Sequence, residues 1–266
     1  MSPTQTIMDL AYDLAGIALG QGKQAMVEAR LGKRLRQLGC DLRDYAQRVT
    51  KDPAEQVVML DLLTTNHTAW LREPAHFDDL ERRVLPALVA KRAKEPHPKL
   101  RIWCAAAATG EEPWTIAMTL VRSLPDLERW DVAVLATDIS TRALTRAEAG
   151  LYSEDRVSAL SAQDRQIALT VAERTVPKVY SVAPGLRRLV HFARLNLMED
   201  WPMRGPFEVI FCRNVMIYFD RDTQQRLVTR MISLLAPGGT LYVGHAESLS
   251  SITHGLTPII PAAYVR

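Results

Sequence analysis

Arg101-Ile-Trp-Cys-Ala-Ala-Ala-Ala-Thr-Gly-Glu-Glu-Pro-Trp-Thr-Ile-Ala-Met118 is the stretch whose reading decides the fold. Leu100 to Cys104 is short and mostly apolar, which suits a parallel strand covered on both faces. Ala105 to Gly110 carries almost no side-chain bulk, so the backbone there is open to close approach by a ligand. Pro113 lacks an N–H and fits the first turn of a helix, where that donor has no partner anyway. Ile116, Ala117, Leu120 and Val121 then recur at helical spacing. Strand, small-residue loop and helix N-terminus together make the nucleotide-binding corner of a doubly wound α/β fold.

The phosphate fingerprint G-x-G-x-x-G is absent. Gly110 stands alone, and Glu111 and Glu112 follow it at once. Two carboxylates at a helix N-terminus are well tolerated, but they repel a pyrophosphate. A cationic ligand without phosphate fits better, and S-adenosylmethionine, with its sulfonium and α-ammonium groups, is such a ligand. A second apolar run, Val132 to Thr137, ends in Asp138, where nucleotide-binding α/β folds hold a ribose diol. Capping of the helix beginning near Ser140 is the plainer role for Asp138.

The whole chain sets bounds on these readings. Its 266 residues accommodate one large α/β domain and a small accessory one. A net charge of +3 falls short of a dedicated nucleic-acid binder. No apolar run approaches the ~20 residues needed to span a bilayer, and the N-terminus shows no signal-peptide pattern, so no membrane insertion is expected. Cys40, Cys104 and Cys212 form no C-x-x-C pair, which points to reduced thiols in a cytoplasmic protein and to no metal.

Residues 7 to about 63 read as helical. Leu31, Leu35, Leu38, Leu42 and Tyr45 form one apolar stripe, flanked by a basic run that includes Arg30, Lys33, Arg34 and Arg36. A solvated face is the plain reading of that run, and a docking surface for an acidic helical partner the sharper one. Asp52-Pro53-Ala54-Glu55 has the form of a helix start. In the polar connector 64–74, a helical turn over Thr68–Arg72 would bring Asn66, Thr68 and Arg72 to one side. Phe77 to Ala93 reads as a helix. Two short strands, 176–182 and 188–192, suggest a small antiparallel insert at about 171–192, with Val190 to Ala193 rejoining the main sheet. Asn196-Leu197-Met198 follows at the same rim, where an adenine edge would lie. Phe207 to Asn214 is a further core strand, Asp220 to Leu235 a helix, Pro237-Gly238-Gly239 a tight turn, and Ala262 to Val265 a closing strand.

Six stretches in order now resemble the chemotaxis-receptor glutamate O-methyltransferases, the CheR-type family. They are Asn66-His67-Thr68-Ala69-Trp70-Leu71-Arg72, Ala108-Thr109-Gly110-Glu111-Glu112-Pro113-Trp114, Ala136-Thr137-Asp138-Ile139, Asn196-Leu197, Phe211-Cys212-Arg213-Asn214-Val215-Met216-Ile217-Tyr218-Phe219 and Gly244-His245-Ala246-Glu247-Ser248. The resemblance implies a small all-helical N-terminal domain with its linker, residues 1–75. It implies in turn a Rossmann-like S-adenosylmethionine-dependent methyltransferase domain with a small antiparallel β insert, residues 76–266. It implies cofactor binding by Asn66, Thr68, Arg72, Glu112, Asp138, Asn196, Leu197, Asn214 and Val215, with Gly110 giving close approach. Arg72 would meet the methionine carboxylate or face the acceptor, Glu112 the amino group and Asp138 the ribose, while the Tyr218 phenol would lie close to the transfer site.

The implied substrate is a glutamate on the cytoplasmic helical bundle of a methyl-accepting chemoreceptor, with Arg30, Lys33, Arg34 and Arg36 as the docking face. The implied product besides the methyl ester is S-adenosylhomocysteine, and no metal takes part. Two departures stand out. The first motif carries Trp70-Leu71 where the family has two aromatics. Around 173–177 the glycine pair of members that bind a receptor-tail pentapeptide is missing, so weak or absent tail binding is expected. Methylation of nucleic acid, a small molecule or another protein is the rival reading, although no Asn/Asp-Pro-Pro-Tyr/Phe motif is present. A non-catalytic module that keeps the cofactor as a regulatory ligand is the third.

Overall fold

The computed structural model describes residues 2–173 and 176–266. Its N-terminal part is helical: α1 (Pro3–Ala15), α2 (Gln24–Leu38), α3 (Leu42–Val49) and α4 (Pro53–Leu63). They surround a core in which Ile7, Val27, Leu31, Tyr45, Val49 and Met59 are fully buried. The stripe from Leu31 to Tyr45 runs over two helices, because Gly39, at φ 63, ends α2 in the left-handed region. Asp52 does cap α4, accepting from the N–H of Ala54 at 3.0 Å and of Glu55 at 3.2 Å. The Glu55 side chain turns inward, to Arg34 at 2.6 Å and the Tyr45 hydroxyl at 3.0 Å.

The connector is not a helical turn. Leu71 and Glu73 adopt left-handed backbone, with φ of 54 and 56. Then come α5 (Ala75–Asp79), a wide π turn over Leu80–Val84, and α6 (Leu85–Lys91). The helix expected from Phe77 is therefore present but underwound at its centre. Pro86 has no N–H and its ring crowds the carbonyl of Arg82, which favours the wider turn.

The α/β part adds β1 (Lys99–Cys104), α7 (Glu111–Ser123), β2 (Asp131–Asp138), α8 (Thr141–Ala149), β3 (Leu151–Ser153), α9 (Ala162–Ala168), β4 (Leu169–Glu173), β5 (Val179–Val182) and α10 (Pro184–Arg187). After these follow β6 (Val190–Arg194), β7 (Phe207–Cys212), α11 (Arg221–Leu234), β8 (Leu235–Val243), β9 (Thr257–Ile260) and β10 (Ala263–Val265). The main sheet has the order β6-β2-β1-β7-β8-β10-β9. Strands β6, β2, β1, β7 and β8 are parallel, and the β10 and β9 edge is antiparallel. Along β1 the residues alternate between the two apolar layers: Ile102 and Cys104 join one, Trp103 the other. The chain reverses its direction of travel across the sheet between β1 and β7, so a crevice forms at their carboxyl ends.

The insert differs from expectation. Its antiparallel sheet has the order β3-β5-β4, which draws in Leu151–Ser153 and Leu169–Glu173, while Val190–Arg194 rejoins the main sheet beside β2 as expected. Gly150, at φ 57, stops α8 and releases the chain into β3. The Pro237-Gly238-Gly239 segment lies inside β8, where the register against β7 shifts, so it is a bulge and not a separate turn. No helix of the described residues is long and apolar enough to cross a membrane.

Candidate active site

A cavity of about 480 Å³ lies at the carboxyl ends of β1, β2, β6 and β7, walled on its other side by Ile17, Leu19 and Met26 of the helical domain. The structure brings most of the expected positions to it. Asn66, Thr68 and Arg72 come from the connector, Glu112 from α7 and Asp138 from the end of β2. Asn196 and Leu197 follow β6, and Asn214, Val215 and Tyr218 follow β7. Arg30 reaches the wall as well. Lys33, Arg34 and Arg36 do not.

Gly110 is the correction among these. It does not line the cavity. A Cβ there would meet the Tyr152 hydroxyl at 2.8 Å and Ala147 Cα at 2.9 Å, and its φ is +98. The missing side chain therefore serves the packing of α7 against α8 and the insert, not approach of a ligand. The close approach falls to Ala105, Ala106 and Ala108.

Two of the four basic residues proposed for docking are also committed internally. Arg30 donates to the carbonyls of Leu63 and Thr64 and to the Thr65 hydroxyl. Arg34 holds the buried Glu55 in a two-point pair. Lys33 and Arg36 remain exposed on α2.

The charged centre of the cavity was not visible in the sequence. Arg213, 3% exposed, donates from Nη1 to Glu112 Oε2 at 2.6 Å. Its Nη2 lies 3.0 Å from Glu73 Oε2 and donates to the Arg72 carbonyl. Burial acts to lower the Arg213 pKa, but Glu112 and Glu73 outweigh it and hold the guanidinium charged. Burial pushes the Glu112 carboxyl up, against the pull of Arg213. With all three groups ionised the cluster carries one net negative charge, the condition under which a buried site admits a cation. Cys104 Sγ completes the Glu112 environment at 3.3 Å.

Asp138 is not the helix cap. Ser140 caps α8, accepting from the Ala143 N–H at 3.2 Å. Asp138 instead accepts the N–H of Ala108 at 2.8 Å and of Ser140 at 2.9 Å, one on each oxygen, which ties the β1–α7 loop to the end of β2. Burial still raises its pKa, and each carboxylate oxygen keeps an acceptor site for a further donor. The Asn196 amide is fully employed: Nδ2 donates to the Leu14 carbonyl at 2.7 Å and to Glu199, and Oδ1 accepts from the Met198 N–H. It joins the domains as it lines the cavity, so only the backbone beside it is free for a base edge.

The last motif is explained by Glu247. Its carboxylate accepts the N–H groups of Gly244 (2.6 Å), Asn214 (2.7 Å) and Ile217 (3.2 Å), which locks the loop after β7 to the loop after β8. Gly244 must be glycine, since a Cβ would stand 2.6 Å from both Asn214 Nδ2 and Glu247 Oε2. Asn214 itself sits at φ 58, which an asparagine tolerates. Among the described residues Glu73, His76 and His245 also bring ligand atoms within 4.8 Å of one another, but Arg213 already supplies the positive charge there.

This donor set suits a ligand with a cationic head and a diol: a net-negative cluster at one end, a backbone-held carboxylate at the other and small residues between. A family model described as "CheR methyltransferase, SAM binding domain" matches residues 66–262, and "CheR methyltransferase, all-alpha domain" matches residues 4–64. The chain is 40% identical to a "Probable chemotaxis protein methyltransferase" of Rhizobium etli, with 91% of this chain and 90% of that one covered. It is 39% identical to "Chemotaxis protein methyltransferase 2" of Pseudomonas aeruginosa (94% and 88% covered) and to the "Chemotaxis protein methyltransferase" of Escherichia coli (94% and 86%). Helical domain, methyltransferase sheet and cavity between them thus have one source: the chain belongs to the CheR methyltransferase family.

Proposed function

We propose that this protein esterifies glutamate side chains on the acid-rich helical bundle of a chemoreceptor, using S-adenosylmethionine and releasing S-adenosylhomocysteine. The observation that carries the proposal is the cavity between the two domains, with the Glu112–Arg213–Glu73 cluster at one end and Asp138 at the other. The relatives' names, chemotaxis protein methyltransferases, support an acceptor within chemotaxis signalling.

When bound, S-adenosylmethionine supplies a methyl group already activated on a sulfonium. In this reading Glu112 takes the cofactor's ammonium group and Asp138 its ribose hydroxyls. Asn66 and Thr68 line the cavity beside them, and the Ala105–Ala108 backbone lies close along the ligand. Arg72, held by the His67 carbonyl at 3.0 Å, attracts either the cofactor carboxylate or the incoming glutamate. The Tyr218 phenol, which has no hydrogen-bond partner among the described residues, orients the acceptor oxygen.

A glutamate with pKa near ~4.3 is already an anion at neutral pH, so the acceptor needs no general base. The residues of the cavity have to align it, strip part of its water and avoid pairing with it too tightly. Exposed Lys33 and Arg36 on α2 provide the attraction for the bundle, with Arg30 and Arg34 shaping that face from beneath. Tail-pentapeptide binding is proposed to be weak or absent. Arg174 and Thr175, within the segment where that expectation arose, lie outside the described residues.

The test is transfer of radiolabelled methyl groups to membranes containing candidate receptors, followed by alkali treatment. Label released as methanol supports a glutamate ester. Label stable to alkali, or delivered to nucleic acid, overturns the reading.

A further inference from the structure

A second concave surface adjoins the cavity and plays no part in the site described so far. Thr64 and Asn66 line both, so the connector is their shared wall. The groove's floor is formed by α8 and the insert, and its charged lining is Arg142, Arg146 and Arg156 against a single carboxylate, Glu111. Arg156 already pairs with Glu111. Neither Arg142 nor Arg146 takes an ion-pair partner among the described residues, and both are exposed.

These two arginines repel each other where they stand, although Arg146, in the last turn, is favoured by the macrodipole. At a four-residue spacing they share one face of α8, and like charges so placed work against the helix. Arg142 also sits in the first helical turn, at the positive end of the macrodipole. Both side chains are exposed on one helix face, and Arg142 has only the Asp61 carbonyl at 3.4 Å as an internal partner, so their positive charge is open to a partner outside the chain. The occupant's chemistry is written beside them. Leu151, 53% exposed, lies in the same groove, so the surface joins fixed positive charge to an apolar contact.

The groove also continues the basic face of α2. Arg30 of α2 reaches across to Thr64 and Thr65, and α8 abuts α4 through Thr141 and Asp61 at 2.5 Å. Positive charge thus lies on both sides of the connector that walls the cavity. We propose that the Arg142–Arg146 groove is a second docking surface for an acid-rich helical bundle, gripping it on the side of the cavity opposite α2. This rests on the acceptor reading above, and it assigns to α8 and the insert the task of holding the bundle's far side over the cavity mouth.

The test combines Arg142→Glu and Arg146→Glu in the full chain. S-adenosylhomocysteine affinity serves as the check of integrity and is expected to stay within about twofold. The probe is a soluble fluorescent coiled coil with surface glutamates, alongside the same coil with glutamines. The expected result is at least tenfold weaker binding of the glutamate coil, a shallower salt dependence, and no change for the glutamine coil. Unchanged binding of the glutamate coil with intact cofactor affinity overturns the proposal, and so does tighter, competing binding of single-stranded RNA. If the double variant loses cofactor affinity, Arg146→Ala at its exposed, unpaired position gives the same readout with an expected loss of about threefold. Absence of methyl ester with groove-dependent coil binding intact would strike the catalytic reading alone. Ester formation with a KM for a receptor fragment indifferent to the double substitution would strike the groove alone.

Discussion

Arg213 concentrates the physics of the site in one side chain. It neutralises Glu112, approaches Glu73 and fixes the carbonyl of Arg72, so three connector and helix positions depend on one guanidinium. Removing it leaves the buried Glu112 and the half-buried Glu73 without a counter-charge, an outcome worth about 3–5 kcal/mol in other buried pairs. Arg213→Met is therefore expected to lower the unfolding free energy by about 3 kcal/mol in urea titration. Glu112→Gln, which keeps the shape and removes one charge, should leave stability within about 1 kcal/mol yet weaken S-adenosylmethionine binding by tenfold or more. Equal effects of the two on stability would refute the separate roles. His76 offers a pH signature of its own. Burial, then the nearby Arg213 charge, lowers its pKa to about 4. The unfolded ring titrates near 6.5, so the unfolded chain binds more protons between these values. Stability contributed by neutral His76 is complete above about pH 6.5 and is lost as pH falls toward 4. The expected loss between pH 7.5 and pH 5 is about 2 kcal/mol, and His76→Phe should abolish it. A parallel decline in the variant would place the acid sensitivity elsewhere.

At the scale of elements, the loops at the carboxyl ends of β7 and β8 are held together by one carboxylate. Glu247→Ala strands three backbone N–H groups that are otherwise paired. At about 1–3 kcal/mol for each buried group left unpaired, the variant should lose about 3 kcal/mol or more. It should also loosen the segment bearing Asn214 and Tyr218. We expect a tenfold or larger rise in the S-adenosylmethionine KM with retained far-ultraviolet dichroism. A KM unchanged despite lost stability would mean that the loop keeps its shape without the clamp. The clamp also shows what the sequence disclosed and what it hid. The parallel strands were legible because their residues are apolar on both faces, and Asp138 was legible because it ends such a run. The Glu247 and Arg213 contacts were not, since all their partners but Gly244 lie 30 to 141 residues away and no periodicity encodes them. The insert was misread for a local reason. Helix α9 passes into β4 at Ala168–Leu169 with no glycine or proline between them, and the release at Gly150 occurs inside a run of good helix formers. Gly110 was misjudged because a glycine before a helix signals equally a ligand's approach and a neighbour's.

For the whole molecule, the cavity is a property of both domains. The Leu14 carbonyl accepts from Asn196, the Ala18 N–H donates to the Tyr218 carbonyl at 2.8 Å, and the Tyr12 hydroxyl binds Asp220. Ile17, Leu19, Met26 and Arg30 supply the helical wall. A ligand that fills this space must contact the helical domain, although every strand of the nucleotide-binding sheet lies in the other. Binding then stabilises the two as a unit, by about 2.7 kcal/mol at a hundredfold excess over Kd. Hydrogen exchange reads where that stabilisation falls. With S-adenosylhomocysteine bound, amides at the ends of β1, β2 and β7 should slow, and so should those of 15–19 and of the second and third turns of α2. The helical-domain amides are the discriminating ones, because a ligand held by the sheet alone would leave them unchanged. Protection confined to residues beyond 100 would show that the helical wall stands off from the ligand, and the acceptor would then have a path into the cavity from the α2 side. Protection in both places would support an entrance between α2, the connector and α8, flanked by the exposed charges of Lys33 and Arg36 on one side and Arg142 and Arg146 on the other.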